Sequence, residues 1–155
     1  MKPAFMREAI RVSVEMMRAN QGGPFGAVVV RGDQIVGRGW NQVLSRKDPT
    51  AHAEIMAIRA ACEALQTFKL DECEIYMSCE PCPMCLSAIY WARLTKGYYG
   101  NTRSEAQEIG FDDAFIFAQM ALPLAERKLV LEPCLREEAL KAFLEWKGKL
   151  DKVGY

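Results

Sequence analysis

The sequence lacks several features that mark whole classes of protein. It has 155 residues with a single histidine, and its 20 lysine and arginine residues balance its 20 aspartate and glutamate residues. Domains that bind nucleic acids electrostatically usually carry a basic excess, so this neutrality argues against that class. No apolar run approaches the roughly 20 residues that a membrane-spanning helix needs, so we expect no membrane contact.

The N-terminal residues also lack the apolar core and the cleavage site of a secretory signal peptide. We therefore expect a cytoplasmic protein, whose six cysteines serve as reduced thiols and metal ligands rather than as disulfides. Half of the residues are hydrophobic and 26% are charged, which is typical of a globular protein. The length suits one domain, so we treat residues 1–155 as a single domain.

The hydrophobic pattern indicates the order helix, hairpin, helix, strand, helix, strand, helix. Residues 25–30 and 35–41 are predicted to pair as antiparallel strands. Residues 74–78 and 97–100 are joined by a helix, so a right-handed crossover would make them parallel. With residues 129–131 as a further strand, the sequence predicts an α/β fold: a three-layer α-β-α sandwich with a mixed sheet of about five strands.

Two cysteines stand where a predicted strand turns directly into a helix. Cys82 and Cys85 are three residues apart, so on a first helical turn both thiols would face the same way. The positive end of the helix dipole and the free N–H groups there lower the pKa of a thiol. The pair therefore supplies half of a tetrahedral zinc site, and Cys79, on the strand side of the turn, is most simply a buried small residue.

The only histidine provides a third ligand. Thr50 is the expected N-cap of the helix that follows it, which places His52 in the first turn of that helix and Glu54 two residues later. His52, Cys82 and Cys85 are therefore the predicted zinc ligands. Three ligands leave one position for water, whose pKa zinc lowers. Glu54 is the predicted catalytic residue, which takes the proton of that water and returns it to a leaving group.

The two halves of this pattern match a known signature. H-x-E followed by P-C-x-x-C marks the zinc-dependent nucleobase deaminases, and here it reads His52-Ala53-Glu54 and Pro81-Cys82-Pro83-Met84-Cys85. Further stretches extend the likeness: Gly23-Pro24-Phe25-Gly26-Ala27-Val28 and Gly110-Phe111-Asp112-Asp113. The sequence thus resembles the cytidine deaminase-like superfamily and, more narrowly, the small bacterial guanine deaminases.

The resemblance implies zinc-dependent hydrolytic deamination of a purine base, guanine to xanthine plus ammonia, with Zn²⁺ as the cofactor. It also implies a set of substrate-binding residues: Asn41, Asp113, Phe25, Trp91, Ala53 and Tyr155. Residues 136–155 would form a C-terminal helix and lid that Tyr155 closes. A homodimer in which this segment is exchanged between subunits is implied as well.

Several alternatives remain open from the sequence. The same machinery suits a tRNA adenosine deaminase, or a deaminase of guanosine, cytosine or an amino-triazine. A non-enzymatic alternative is a structural zinc domain in which Cys79 is a fourth ligand. Asp112 and Asp113 are adjacent, and we expect Asp112 to cap a helix and Asp113 to contact the substrate.

Overall fold

The sheet is built around a β-hairpin. In the computed structural model, which describes residues 1–154, strand β1 (Gly26–Arg31) pairs antiparallel with β2 (Gln34–Trp40) and with β3 (Cys73–Cys79). Strand β4 (Lys96–Asn101) pairs parallel with β3, which gives the order β2-β1-β3-β4. The predicted hairpin and the predicted parallel pair are both confirmed.

The helices alternate with these strands as the hydrophobic pattern predicted. They are α1 (Pro3–Arg18), α2 (Val43–Arg46), α3 (Ala53–Leu65), α4 (Pro83–Trp91), α5 (Arg103–Glu108), α6 (Ala114–Ala121) and α7 (Arg136–Gly148), with a 3-10 turn at Leu124–Glu126. The three-layer α/β class is confirmed. The expected strand count of about five is wrong, because the described residues form four strands and residues 129–131 adopt none.

Alternation along β1 divides the core between the two faces of the sheet. Val28 and Val30 pack with Ala9 of α1 on one face, whereas Ala27 and Val29 pack with helix α3 on the other. Because both faces are covered, β1 is apolar along almost its whole length instead of alternating with polar residues.

Two glycines of β2 let α3 lie unusually close to the sheet. A Cβ atom at Gly39 would stand 2.1 Å from the backbone oxygen of Ala53, and one at Gly37 would stand 2.3 Å from that of Ala57. On the facing side α3 presents alanines, which are buried: Ala53, Ala57 and Ala61. This contact fixes where α3 begins, and α3 begins at the residues that the sequence singled out for chemistry.

The chain divides into two compact units, Met1–Ala114 and Phe115–Tyr155. The first contains the whole sheet and helices α1 to α5. Among residues 115–154, which include most of α6 and all of α7, none is fully buried. Within the described part of the chain, no helix is long and apolar enough to cross a membrane.

Candidate metal centre and active site

The N-terminal ends of α3 and α4 bring the predicted ligands together. His52 is the N-cap of α3, Cys82 is the N-cap of α4, and Cys85 lies in the first turn of α4. Thr50 is not the N-cap that the sequence suggested. Its N–H and its hydroxyl both donate to Oδ1 of Asp48, so its side chain is engaged in a turn before the helix.

The geometry of the three side chains fits a zinc ion. Nδ1 of His52 lies 3.6 Å from Sγ of Cys82 and 3.5 Å from Sγ of Cys85, and all three ligand atoms lie within 4.8 Å of one another. Zinc bonds of about 2.3 Å to sulfur and about 2.1 Å to nitrogen, at a tetrahedral angle, would place those two atoms about 3.6 Å apart. The spacing and the donor types therefore match one zinc ion.

The charges of the two thiols support the same assignment. The thiol of Cys85, and then His52, lower the pKa of Cys82 to about 4, whereas Cys82 and burial raise the pKa of Cys85. Cys82 also raises the pKa of His52. Two adjacent thiolates repel each other, so the second proton leaves only when a cation takes its place. A divalent cation with an affinity for sulfur satisfies this arrangement.

Cys79 lies beside this group without joining it. Its thiol donates to the backbone oxygen of Thr102 at 3.7 Å, and burial raises its pKa to about 11. A protonated thiol held by a carbonyl is a poor zinc ligand. The geometry thus favours a three-residue group, which leaves a coordination position for water, over a four-ligand structural site.

Glu54 is placed where an acid–base residue is needed. It occupies the first turn of α3 and is only 8% exposed. Burial, with a further contribution from the charge of Cys82, raises the pKa of its carboxyl. A carboxyl that holds its proton more tightly than usual can both accept and return a proton near neutral pH.

Asp113 contributes a second acidic group near the metal ligands. Burial raises the pKa of its carboxyl, Arg103 lowers it, and the charge of Cys82 raises it further. Its Oδ1 is buried without a hydrogen bond in the described part of the chain. Asp112, in contrast, accepts a hydrogen bond from the N–H of Ala114 at the start of α6. Asp112 thus satisfies the first N–H of α6 from one residue before the N-cap position.

Asn41 and Phe25 meet at the end of β2. The N–H of Asn41 donates to the backbone oxygen of Phe25 at 3.1 Å, and that of Gln42 donates to Ala51, the residue before His52. Asn41 is buried, and its Oδ1 accepts from Val43, so its amide NH₂ carries the donors that remain. These contacts place Asn41 and Phe25 beside the chain segment that leads into the metal group.

The other predicted substrate contacts are placed differently. Ala53 is buried between His52 and Glu54, at the site. Trp91 is the last residue of α4, which begins beside Cys82, so it lies about 12 Å along the helix from the metal ligands. It is 62% exposed, and its contact with the base stays a prediction. Tyr155 lies outside the described residues.

Some residues of the site were not found from the sequence. Oγ of Ser78 accepts from the buried N–H of Gly26 at 3.0 Å and ties β1 to the strand end that precedes Cys79. Phe111 packs edge-on against Phe25, with ring centroids 4.8 Å apart. The motif that contains Phe111 was the only signal for it. Nothing in the sequence marked Arg103, whose Nε lies 3.8 Å from Oδ1 of Asp113.

Comparison with known proteins extends these observations to the whole chain. Residues 1–101 match the family described as the cytidine and deoxycytidylate deaminase zinc-binding region. The guanine deaminase of Bacillus subtilis (strain 168) is 44% identical over 151 residues, 97% of this chain and 97% of that protein. The X-ray structure of guanine deaminase from Bacillus subtilis superposes with a TM-score of 0.96 at 42% identity and covers 100% of this chain and 99% of that one.

A second group of relatives matches over a shorter length. The tRNA-specific adenosine deaminase of Aquifex aeolicus (strain VF5) is 42% identical over 97 residues, which is 61% of this chain and 62% of that protein. The match to a zinc-binding region agrees with the donor group formed by His52, Cys82 and Cys85. The chain belongs to the cytidine and deoxycytidylate deaminase family and has zinc as its cofactor.

Proposed function

We propose that this protein deaminates free guanine, converting guanine and water to xanthine and ammonia. The observation that carries the proposal is the buried carboxyl of Glu54 beside a three-residue zinc-binding group. The similarity to a guanine deaminase over 97% of both chains supports the choice of base. The reaction is a hydrolysis, so it needs no oxidant and no further substrate besides water.

The roles of the residues follow from their positions. His52, Cys82 and Cys85 would hold the metal, which when bound activates water for attack on an sp² carbon. Glu54 accepts the proton of the attacking water on its carboxylate. It delivers that proton to the neighbouring ring nitrogen. It then takes the second proton of the water, from the hydroxyl now bound to the carbon, and passes it to the amine, which leaves as ammonia. The raised pKa of Glu54 suits a group that must both take and give a proton.

The buried acceptor of Asp113 supports guanine as the substrate over other bases. Its buried Oδ1 is an acceptor without a hydrogen-bond donor in the described residues, and the amine of guanine is such a donor. A base that lacks the amine at this position would leave a buried carboxylate oxygen unpaired, which discriminates strongly. We also propose that Asn41 donates to the purine ring and that Phe25 forms an aromatic wall of the pocket, backed by Phe111.

The main rival is a tRNA adenosine deaminase. The formal net charge of zero offers no excess of cations for a polyanion. The Aquifex relative also matches only 61% of this chain. We therefore propose a small-molecule substrate. Tight binding to tRNA that weakens steeply with salt concentration would support the rival instead.

The test is ammonia release by the zinc-loaded protein from a matched panel: guanine, guanosine, adenine, cytosine, an amino-triazine and tRNA. We expect release from guanine and none from adenine or tRNA. Asp113→Asn should lower kcat/KM for guanine, because a neutral amide is a weaker acceptor for the amine. Activity confined to another member of the panel would overturn the choice of guanine.

We further propose that the protein is a homodimer in which the C-terminal segment, residues 136–155, is exchanged between subunits and serves as a lid. Helix α7 and its continuation expose large apolar side chains, among them Phe143 (76% exposed) and Leu144 (60% exposed). A second copy of the chain would bury them. The expected role of Tyr155 in that lid remains part of this proposal.

Sedimentation of the wild type at micromolar concentration tests the dimer. A charge at Phe143, introduced as Phe143→Glu, should shift the dimer toward monomer. Leu44→Glu is the matched control, since Leu44 is a similarly exposed apolar residue of the first unit. A wild type that sediments as a monomer would contradict the proposal.

The free thiols of all six cysteines support a reducing compartment, and we propose the cytoplasm.

A further inference from the structure

Asp113 forms an ion pair with Arg103, a residue that the sequence did not mark. Nε of Arg103 lies 3.8 Å from Oδ1 of Asp113, whose side chain is 17% exposed. At this distance the two charges attract each other, but they do not form a hydrogen bond. Oδ1 is accordingly buried and still able to accept a hydrogen bond.

A hydrogen bond to Glu80, in the loop between β3 and α4, holds the backbone of Arg103 in place. The backbone N–H of Arg103 donates to Oε2 of Glu80 at 3.1 Å, and the N–H of Glu80 donates to the oxygen of Asn101 at 2.8 Å. Thr102 caps α5 through a reciprocal pair of hydrogen bonds with Glu105. Glu80 stands two residues before Cys82, so the start of α5 is fastened to the loop that carries the metal ligand.

Opposing influences act on the charge of Asp113. Burial and the negative charge of Cys82 raise the pKa of the carboxyl, and Asp112 adds to this, whereas Arg103 lowers it. A protonated Asp113 would present a hydroxyl, which is a poorer acceptor for an amine. The guanidinium of Arg103 therefore favours the form of Asp113 that recognition of a donor requires.

We propose that Arg103 is a positioning residue that keeps the Asp113 carboxylate ionised and oriented, so that its buried oxygen accepts a hydrogen bond from the purine amine. The inference rests on the proposed function, which supplies the amine. Arg103 acts through Asp113 and does not touch the substrate. At 3.8 Å its charge acts on Oδ1 while the oxygen keeps its full capacity to accept from the amine.

The experiment compares three substitutions in the zinc-loaded protein. Arg103→Met removes the charge and keeps an unbranched side chain that reaches as far as Nε, Arg103→Lys restores a cation, and Arg7→Met is the control at an exposed arginine of α1. The readouts are KM and kcat for guanine and the Kd of guanine as a binding probe, measured in a Glu54→Gln background that does not turn it over. We expect Arg103→Met to raise KM and Kd by about tenfold, with a smaller change in kcat. Lysine should recover part of the loss, and Arg7→Met should change neither constant.

Coupling to Asp113 separates this role from a general loss of structure. In an Asp113→Asn background, Arg103→Met should have almost no further effect on the Kd of the probe, because the carboxylate it serves is gone. If Arg103→Met weakened probe binding equally with and without Asp113→Asn, or left the Kd unchanged, the role of Arg103 would be overturned while the proposed function would stand. A wild type that releases no ammonia from guanine would overturn the proposed function, and this inference with it.

Discussion

At the scale of single residues, the proposed chemistry depends on how α3 buries a carboxyl group beside the metal ligands. Glu54 is almost fully buried, whereas Glu63, on the same helix, is exposed. We expect Glu54→Gln to lower kcat by about 10²- to 10⁴-fold, because the amide cannot carry the proton. The measurement is ammonia release, with zinc content determined in parallel. Glu63→Gln should remain active, and an active Glu54→Gln enzyme with full zinc content would contradict the role of Glu54.

The cysteines give a second prediction at this scale. Cys82→Ser should weaken zinc binding by more than the roughly 10- to 100-fold that loss of an outer-shell partner costs. Cys79→Ser should leave zinc binding nearly unchanged, because the Cys79 thiol is engaged by Thr102 and stands outside the ligand group. Zinc affinity measured in competition with a chelator checks both. Loss of zinc from Cys79→Ser would favour the four-ligand alternative.

At the scale of secondary-structure elements, the site depends on the close approach of α3 to β2. Gly39→Ala would place a Cβ atom 2.1 Å from the oxygen of Ala53. We expect it to lower the free energy of unfolding by about 1–3 kcal/mol, as overpacking of a core does. Zinc affinity should fall as well, because the shifted helix carries His52 at its start.

Urea unfolding and zinc titration measure these two effects. Gly148→Ala is the control, since a Cβ atom there would meet nothing within 4 Å. It should leave both quantities almost unchanged. A Gly39→Ala protein as stable as the wild type would show that the sheet and α3 can move apart without lowering the free energy of unfolding.

At the scale of the whole molecule, one charge cluster makes stability depend on pH. Glu8 of α1 accepts hydrogen bonds from Arg11, at 2.8 and 2.9 Å, and from Arg38 of β2, at 2.7 Å. These contacts, with Arg11 first, lower the pKa of Glu8 from 4.5 to about 2. Their stabilisation is therefore fully present above pH 4.5 and is lost as the pH falls toward 2.

We expect Glu8→Gln to lower the free energy of unfolding at pH 7 by about 1 kcal/mol, a value reduced because both arginine side chains are half exposed. The difference from the wild type should shrink as the pH falls through this range. Urea unfolding at pH 7 and at pH 3 measures it. A difference that stays the same at both pH values would show that Glu8 acts through packing and not through its charge.

Much of the fold and the centre of the site could be predicted from the sequence. Periodicity gave the hairpin, the parallel pair and the three layers, because apolar spacing is set locally by the geometry of strands and helices. The ligands followed from residue type and short spacing. A single histidine and two cysteines three apart have few roles in a reducing environment, and the matching signature places Glu54 beside them.

The tertiary structure decided what depends on contacts between distant segments. The expected fifth strand at residues 129–131 is absent, since a short apolar run becomes a strand only where a sheet edge accepts it. Thr50 lost the N-cap position because the neighbouring Asp48 takes its hydrogen bonds. The 3.8 Å approach of Arg103 to Asp113 joins the start of α5 to the residue before α6. The sequence by itself therefore determined which residues are candidates for the chemistry, because residue type and short spacing are local, and only tertiary packing decided which charged groups lie beside them.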